Sequence, residues 1–255
     1  KGTTQTRLEN IQKLGAKVDI LELNYDDCVR QAAKEAAATP RGVIVQDTAW
    51  DGYEDIPGWI MQGYGTMALE AAEQLKAQGT ERPTHVFVQA GVGSLAGAVI
   101  GFYANLWSDN PPTFVVVEAK AADCLYEGAL AGDGKIRTVG GDMETIMAGL
   151  ACGEPNTISW DILKNHVKLF VAISDDVAAD GMRMLAAPIK GDPPITSGES
   201  GAASFAALMA LMTDDACEEP RALLGLDRDS RVLVFSTEGD TDPERYREIV
   251  WEGQF

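Results

Sequence analysis

The sequence predicts an α/β fold built as a doubly wound, mostly parallel sheet. Short runs rich in Val, Ile and Phe recur along the chain, and segments with helical spacing of apolar residues separate them. Strands of a parallel sheet carry helices on both faces, so their sequences are continuously apolar rather than alternating. The predicted strands are residues 18–21, 43–45, 86–88, 114–117, 169–173 and 232–235.

The segments between these runs carry helix signals. Asp26 and Asp27 suit the start of an alanine-rich helix, because negative charge is favourable at a helix N-terminus. Gly79 follows a long amphipathic segment, and Ser174 is a residue type that caps helix N-termini. The predicted helices are residues 6–14, 25–38, 59–78, 94–107 and 200–212, with a further helix starting at residue 174.

Composition excludes several classes of function. The chain has 255 residues, and a formal net charge of -18 disfavours binding to nucleic acid. None of the four cysteines forms a CxxC pair, and the chain has two histidines, so no metal site is predicted. So few cysteines are typical of reduced cytosolic thiols, although a Cys124–Cys152 bridge stays open.

One long uncharged stretch requires a membrane test. Residues 83–108 contain no Asp, Glu, Lys or Arg, but Gly, Ser, Gln and Asn interrupt them. A spanning helix needs about 20 predominantly apolar residues, so a buried strand, loop and helix explain this stretch better. The sequence starts with a polar segment of mixed charge rather than a signal-peptide pattern. We therefore expect a cytoplasmic protein without a membrane partner.

A glycine-rich loop, QAGVGSLAGAV at residues 89–99, joins a predicted strand to a predicted helix. Such a loop lets backbone N–H groups at a helix N-terminus approach an anion. Its glycines approximate the dinucleotide fingerprint, and Glu118 lies about 20 residues further on, where an acid binds the ribose. The same glycines also suit a tight turn with close helix packing. The loop alone leaves a dinucleotide, another phosphate or no ligand open.

Two further predicted loops carry polar residues near the same edge of the sheet. The last strand runs into Ser236 and Thr237, which place two adjacent hydroxyls at its tip. The segment TSGESGAASFAAL, residues 196–208, opens a buried helix. Ser197 or Ser200 caps this helix in one interpretation, and the helix N-terminus faces a ligand in the other. Ligands of such sheets bind outside the carboxyl ends of strands.

Asp47 is the candidate acid/base residue. It follows the predicted strand at residues 43–45 directly, in a loop that holds Trp50 and Tyr53. Burial among aromatic side chains raises the pKa of a carboxyl group towards a useful acid/base value. Other acids of this loop, Asp51, Glu54 and Asp55, are interpreted as turn or capping residues.

Together these segments resemble the fold-type-II, tryptophan-synthase-β-like family of pyridoxal-phosphate enzymes. The carrying motifs are GVGSLAG, SGESGAA, FSTEGDTD and QGYGTM. Within that family the chain resembles the diaminopropionate ammonia-lyases, through NYDDCVR, VQDTAWDGY, PGWIMQGYGT and VGGDMETIMAGLACGEPN. This resemblance runs along nearly the whole chain.

The resemblance implies a reaction and a set of site residues. It implies α,β-elimination of 2,3-diaminopropionate to pyruvate and two ammonia, with pyridoxal 5'-phosphate as cofactor. Asp47 matches the acid/base carboxylate, and Ser236, or its neighbour Thr237, matches the hydroxyl near the pyridine nitrogen. The phosphate cradle would be Gly91, Val92, Gly93, Ser94 and Leu95, and the substrate-pocket candidates are Thr48, Tyr53, Ser197 and Glu199. Glu118 then has no ribose role.

The resemblance also implies a division of the chain. Enzymes of this family form a Schiff base through a lysine in an N-terminal Phe-Lys motif, and that motif is not among these residues. We therefore expect the C-terminal part of such an enzyme, lacking the lysine segment. Residues 1–57 would complete the small domain, and residues 58–255 would form most of the large cofactor-binding domain. Family members are usually homodimers, which is the expected assembly.

Three alternatives stay open at this point. The scaffold could serve a serine or threonine dehydratase, or be a non-catalytic remnant of the fold. A nicotinamide-dependent oxidoreductase has only the glycine loop and Glu118 in its favour. Some relatives bind a divalent cation beside two carboxylates, the first of which matches Glu118 here. Cys124 stands where the second carboxylate would be, so no metal is predicted. The sequence does not distinguish D from L substrates.

Overall fold

The computed structural model describes residues 3–80 and 82–255. Within them, four strands form one sheet in which every pairing is parallel, in the order β3-β2-β1-β4. The strands are β1 His85–Gln89, β2 Thr113–Ala119, β3 Val167–Ile173 and β4 Val232–Val234. All four match predicted strands, and the predicted α/β class is confirmed.

Ten α-helices connect and cover the strands in the described part of the chain. They are α1 Gln5–Gln12, α2 Tyr25–Ala38, α3 Asp55–Ala77, α4 Ser94–Leu106, α5 Cys124–Ala131, α6 Thr157–His166, α7 Asp175–Ala186, α8 Glu199–Thr213, α9 Glu218–Leu224 and α10 Pro243–Val250. Short 3-10 helices lie at Ala148–Leu150 and Asp215–Cys217. Helix α2 has the predicted bounds, whereas α3 begins four residues before the predicted start, at Asp55 instead of residue 59.

The sheet separates two hydrophobic cores, as a doubly wound fold requires. Val86, Val88 and Val116 point into one core, which contains side chains of α3, α4, α5 and α6. Phe87 and Val115 point into the opposite core, against α7, α8 and α10. Because successive side chains of a strand face opposite sides, a strand covered on both faces is apolar at every position. This is why the strands read as unbroken apolar runs.

Two predicted strands are wrong, those at residues 18–21 and 43–45. In the structure Ile20 is 45% exposed, and Val43 and Val45 are 69% and 71% exposed. Apolar, β-branched residues favour a strand only where a neighbouring strand accepts their backbone hydrogen bonds. Among the described residues no strand lies beside either segment. The division of the chain into two domains at residue 57 is a separate expectation, and it stays a prediction.

Close packing of α4 on α6 explains one glycine of the glycine-rich loop. A Cβ atom on Gly97 would lie 2.8 Å from Ser159 Oγ and 3.0 Å from Ser159 Cα. Because the second contact is with backbone, side-chain rotation alone cannot relieve it. Gly97 therefore serves helix packing, as one interpretation of the sequence proposed.

The described residues give three further results on cysteines, metals and membranes. All four cysteines are free, and Cys124 Sγ donates a hydrogen bond to the Cys152 carbonyl at 3.5 Å. Across residues 3–80 and 82–255, no group of three or more His, Cys, Asp or Glu side chains could hold a metal ion. In the same ranges no helix has both the length and the apolar content needed to cross a bilayer.

Two glycine substitutions on α4 test this packing. We expect Gly97→Ala to lower the free energy of unfolding by about 1–3 kcal/mol, since the new methyl group overpacks the contact with α6. Gly101→Ala is the matched control on the same helix, because its Cβ would meet only Ile162 side-chain atoms at 3.6 and 3.7 Å. That control should be neutral or stabilising by about 0.5–1 kcal/mol. Urea unfolding of both variants is the measurement, and equal effects would contradict the packing account.

Candidate active site

Loops from distant parts of the chain meet at the carboxyl end of β1. They enclose a cavity of about 380 Å³. The loop after β1 supplies one wall, and the loop after β4 supplies Thr237 and Glu238. The remaining lining includes Tyr25, Asp47, Tyr64, Gln89, Gly149, Cys152 and Ser200. The cavity lies where ligands of doubly wound sheets bind, outside the carboxyl ends of the strands.

The N-terminus of α4 opens into this cavity. All five predicted cradle residues line it, namely Gly91, Val92, Gly93, Ser94 and Leu95. Gly93 is the residue before the helix and has φ +96°, a conformation that favours glycine. Within the described part of the chain no side chain caps α4, although the first N–H groups of a helix lack partners within the helix. These N–H groups and the helix dipole make a site for one phosphate.

Asp47 stands beside this cradle. Its backbone carbonyl accepts hydrogen bonds from Ser94 Oγ and Asn156 Nδ2, both at 2.7 Å. Its carboxyl group is hydrogen-bonded to the Tyr64 hydroxyl, and burial is the main cause that raises the pKa of this carboxyl. A half-buried carboxyl with a raised pKa is suited to proton transfer.

Sequence reasoning missed two tyrosines that line the cavity. Burial raises the pKa of the Tyr25 hydroxyl, and the nearby Cys152 and Asp47 raise it further. Burial and Asp47 also raise the pKa of Tyr64. Both tyrosines therefore keep their protons and act as hydrogen-bond donors to Asp47 or a ligand. Tyr64 lies between two glycines of QGYGTM, which was the available signal.

Hydrogen bonds connect the segments SGESGAA and STEGDTD. Glu238 accepts hydrogen bonds from Ser200 N at 2.8 Å and Gly201 N at 3.4 Å, and its own carbonyl accepts one from Gly198 N at 2.8 Å. Glu238 therefore caps α8 from a distant part of the chain. The interpretation in which Ser197 or Ser200 caps this helix is wrong, because Glu238 binds its first N–H groups. Ser200 lines the cavity, so the interpretation in which this helix start faces a ligand stays a prediction.

The two hydroxyls after β4 differ in their surroundings. Ser236 Oγ is hydrogen-bonded to Ser197 Oγ at 2.7 Å, whereas Thr237 lines the cavity. Thr237 Oγ1 accepts a hydrogen bond from Gln89 Nε2 at 3.0 Å, and Gln89 Oε1 accepts one from Ser204 Oγ at 2.8 Å. This chain of bonds fixes Thr237 at the end of β1, so the structure brings Thr237 rather than Ser236 to the cavity.

The four substrate-pocket candidates do not line this cavity. Thr48 is buried beside Tyr25, and Ser197 is buried against Ser236. The Tyr53 hydroxyl accepts a hydrogen bond from Gln46 N at 3.0 Å and donates one to the Ile44 carbonyl at 3.1 Å. Tyr53 therefore stabilises the loop that carries Asp47. Glu199 is also buried and lines a separate cavity of about 360 Å³. Their roles stay predictions.

Glu118 does not support a dinucleotide. Its side chain is fully buried, and its carboxyl oxygens accept hydrogen bonds from Leu125 N at 2.9 Å and Tyr126 N at 2.7 Å. It therefore caps the start of α5. Burial raises the pKa of this carboxyl to about 8. A group engaged in this way cannot bind a ribose hydroxyl, so the observation that favoured a nicotinamide cofactor is lost.

A second cavity, of about 460 Å³, adjoins the first. The two share Tyr25, Ala148, Gly149 and Glu238 in their walls. Its charged lining contains Arg7, Asp142, Glu144 and Glu238, which gives it an acidic character. No lysine among the described residues lines either cavity.

The chain is similar along its whole length to curated proteins and solved structures of one enzyme. Diaminopropionate ammonia-lyase of Salmonella typhimurium is 50% identical over 255 residues, which are all of this chain and 63% of that protein. The Escherichia coli enzyme in complex with an aminoacrylate-PLP azomethine reaction intermediate superposes with a TM-score of 0.92 at 46% identity. The same enzyme in complex with D-serine gives 0.92 and 46%. These alignments cover all of this chain and 64% and 63% of those chains.

The family assignment rests on a separate match. The model of a family described as pyridoxal-phosphate dependent enzyme matches residues 1–226 of the chain. This confirms both the family and the cofactor that the motifs predicted. The chain spans about 63% of the length of the curated ammonia-lyases that it matches. It belongs to the pyridoxal-phosphate dependent enzymes.

Proposed function

We propose that the protein acts as a pyridoxal-phosphate dependent ammonia-lyase that eliminates one ammonia from 2,3-diaminopropionate, after which hydrolysis by water yields pyruvate and a second ammonia. One observation carries this proposal: Asp47, whose carboxyl has a raised pKa, is tied through its backbone carbonyl to Ser94, the first residue of helix α4. The relatives at 49–50% identity that are named diaminopropionate ammonia-lyase support the choice of substrate.

The chain's own residues fit the cofactor. The N–H groups from Gly91 to Leu95 would hold the phosphate, and the Thr237 hydroxyl would meet the ring nitrogen. A hydroxyl is weakly basic, so a ring nitrogen beside it stays largely unprotonated. Ser236 is bonded to Ser197 and is the weaker candidate for that role. When bound, pyridoxal phosphate supplies an electron sink for the electron pair left after an α-proton is removed.

Asp47 would move the protons. In its ionised form it accepts the α-proton of the substrate or holds the β-ammonium group, and Tyr64 keeps the carboxyl in place by hydrogen bonding. The adjoining cavity suits a substrate with two amino groups, since Asp142 and Glu144 line it while Arg7 is paired with Glu238. Acidic walls attract cationic ligands and raise their local concentration.

A serine or threonine dehydratase activity is the second candidate. It has support from the E. coli structure with bound D-serine and from a probable D-serine dehydratase of Sinorhizobium medicae, 24% identical over 205 residues. Serine would lose water where diaminopropionate loses ammonia, so the same site residues would serve both reactions. A non-catalytic protein is the third outcome to test.

We also propose a cytoplasmic homodimer. Four free cysteines support a reducing compartment, because thiols stay reduced in the cytosol. Exposed apolar side chains such as Trp59 and Leu69 on α3 suit an interface between copies, since buried interface cores are enriched in such residues. Sedimentation of the purified protein measures the assembly directly.

The substrate is tested by comparing turnover of 2,3-diaminopropionate with that of serine. We expect the natural full-length polypeptide that carries this sequence to release pyruvate and ammonia in a 1:2 ratio from diaminopropionate, with a higher kcat/KM than for D- or L-serine. A higher kcat/KM for serine would favour the dehydratase. Loss of turnover with both substrates, in protein that binds the cofactor, would reject an enzymatic function.

Asp47→Asn tests the acid/base assignment. We expect kcat to fall by about 10²–10⁴-fold, the usual contribution of a positioned acid or base, while cofactor affinity is retained. In the unsubstituted enzyme, kcat/KM should fall with decreasing pH at a value above the ordinary aspartate pKa of 3.8, because burial disfavours the ionised form. Full activity of Asp47→Asn would refute this role.

A further inference from the structure

We propose that Asn156 is a positioning residue that fixes Asp47 relative to the phosphate cradle. This inference deepens the proposed function and rests on it. The side chain of Asn156 is fully buried at the residue before α6. It lies between the three segments whose mutual placement the site requires: the Asp47 loop, the loop after β1 and the start of α6.

Every hydrogen-bonding group of Asn156 except its carbonyl has a partner that bears on this placement. Its Nδ2 donates to the Asp47 carbonyl at 2.7 Å and to Ser94 Oγ at 2.9 Å. Its backbone N–H donates to the Val92 carbonyl at 2.8 Å. Its Oδ1 accepts from Ser159 N at 3.0 Å, which caps α6.

Helix capping alone does not account for this residue. An N-cap needs only a side-chain acceptor, and Ser or Asp supplies one as well as Asn does. The two Nδ2 hydrogens are the additional feature, and Asn156 uses them on Asp47 and Ser94. Because a buried amide donor without a partner costs about 1–3 kcal/mol, these bonds define where the Asp47 backbone lies.

The Asp47 loop depends on such side-chain bonds. Residues 43–45 belong to no strand of the described sheet, and Val43 and Val45 are largely exposed. Strand hydrogen bonds therefore do not fix the backbone that leads to Asp47. Ser94 and Asn156 hold its carbonyl, and both also belong to, or bind, the cradle. One buried amide and one hydroxyl therefore tie the Asp47 carbonyl to the cradle.

Asn156→Ser separates positioning from capping. Serine keeps a cap acceptor for Ser159 N but cannot reach the Asp47 carbonyl with a donor. In the holoenzyme we expect kcat to fall about tenfold to hundredfold, the effect of a reacting group displaced by about 1 Å, with KM changed less than threefold. We also expect faster amide hydrogen exchange at residues 43–49 without faster exchange in α6.

Two further variants serve as a stability control and as a second test of the same loop. Asn24→Ser makes the same change at the residue before α2, where Asn24 Oδ1 accepts from Asp27 N at 2.9 Å and Nδ2 donates to the Gly141 carbonyl at 3.1 Å. This variant calibrates the loss of thermal stability when a capping asparagine loses both kinds of bond. Ser94→Ala removes the other donor to the Asp47 carbonyl and should also loosen residues 43–49. If Asn156→Ser does not fold, amide hydrogen exchange at residues 43–49 in Ser94→Ala shows whether donors to the Asp47 carbonyl fix this loop. The fold-loss of kcat in the double variant of Asn156→Ser and Ser94→Ala should be smaller than the product of the two single fold-losses. Both side chains act through the same Asp47 carbonyl, so their effects are not independent.

Unchanged kcat and unchanged exchange at residues 43–49 in Asn156→Ser would overturn the inference. So would faster exchange confined to α6, since that is the signature of a cap alone. Failure of the proposed function looks different: the unsubstituted holoenzyme then shows no turnover, or Asp47→Asn is fully active. The exchange measurement needs no turnover, so the two failures are distinguishable.

Discussion

Strand β1 fixes the geometry of the whole site, because it lies inside the sheet with parallel partners on both sides. Its residues pair in register with β2 along His85–Gln89 and with β4 along 85–87. Two sets of backbone hydrogen bonds therefore determine where β1 ends and in which direction the chain leaves. The loop to α4 must start at that edge, and because β4 is parallel to β1, the loop after β4 must start beside it. Thr237 and Gln89 meet there for this reason.

The helix N-termini near this edge differ in whether a side chain of the chain caps them. This difference indicates which of them is open to an anion. Glu118 caps α5, and Glu238 caps α8, each with a carboxylate of the chain itself. No side chain of residues 3–80 or 82–255 caps helix α4, and Gly93 lies at its start beside the cavity. Because the chain's own carboxylates satisfy the first two helix starts, we propose α4 as the site of an external phosphate.

The parts of the structure that follow from local chemistry were predictable. Continuous apolar runs identified the four strands. The glycine-rich loop after β1 lines the cavity, but its glycines alone left the ligand open, and the phosphate cradle came from the family resemblance. The errors arose where a distant residue decides the outcome: the strands at 18–21 and 43–45 lack neighbours, and Glu238 replaces the expected serine cap of α8. Tyr64 was missed because its proximity to Asp47 depends on how α3 packs, which periodicity does not reveal.

The central claim is that the N–H groups at the start of α4 hold the phosphate of the cofactor. Titration of pyridoxal phosphate into Gly93→Ala and Gly132→Ala variants of the natural full-length polypeptide tests it most directly. Both glycines have positive φ, +96° and +67°, so alanine strains the backbone at either position, but Gly132 follows α5 and lines neither of the adjoining cavities. We expect affinity to fall at least about tenfold in Gly93→Ala, equivalent to about 1.4 kcal/mol, and to be unchanged in Gly132→Ala. Equal affinities of the two variants would contradict the claim.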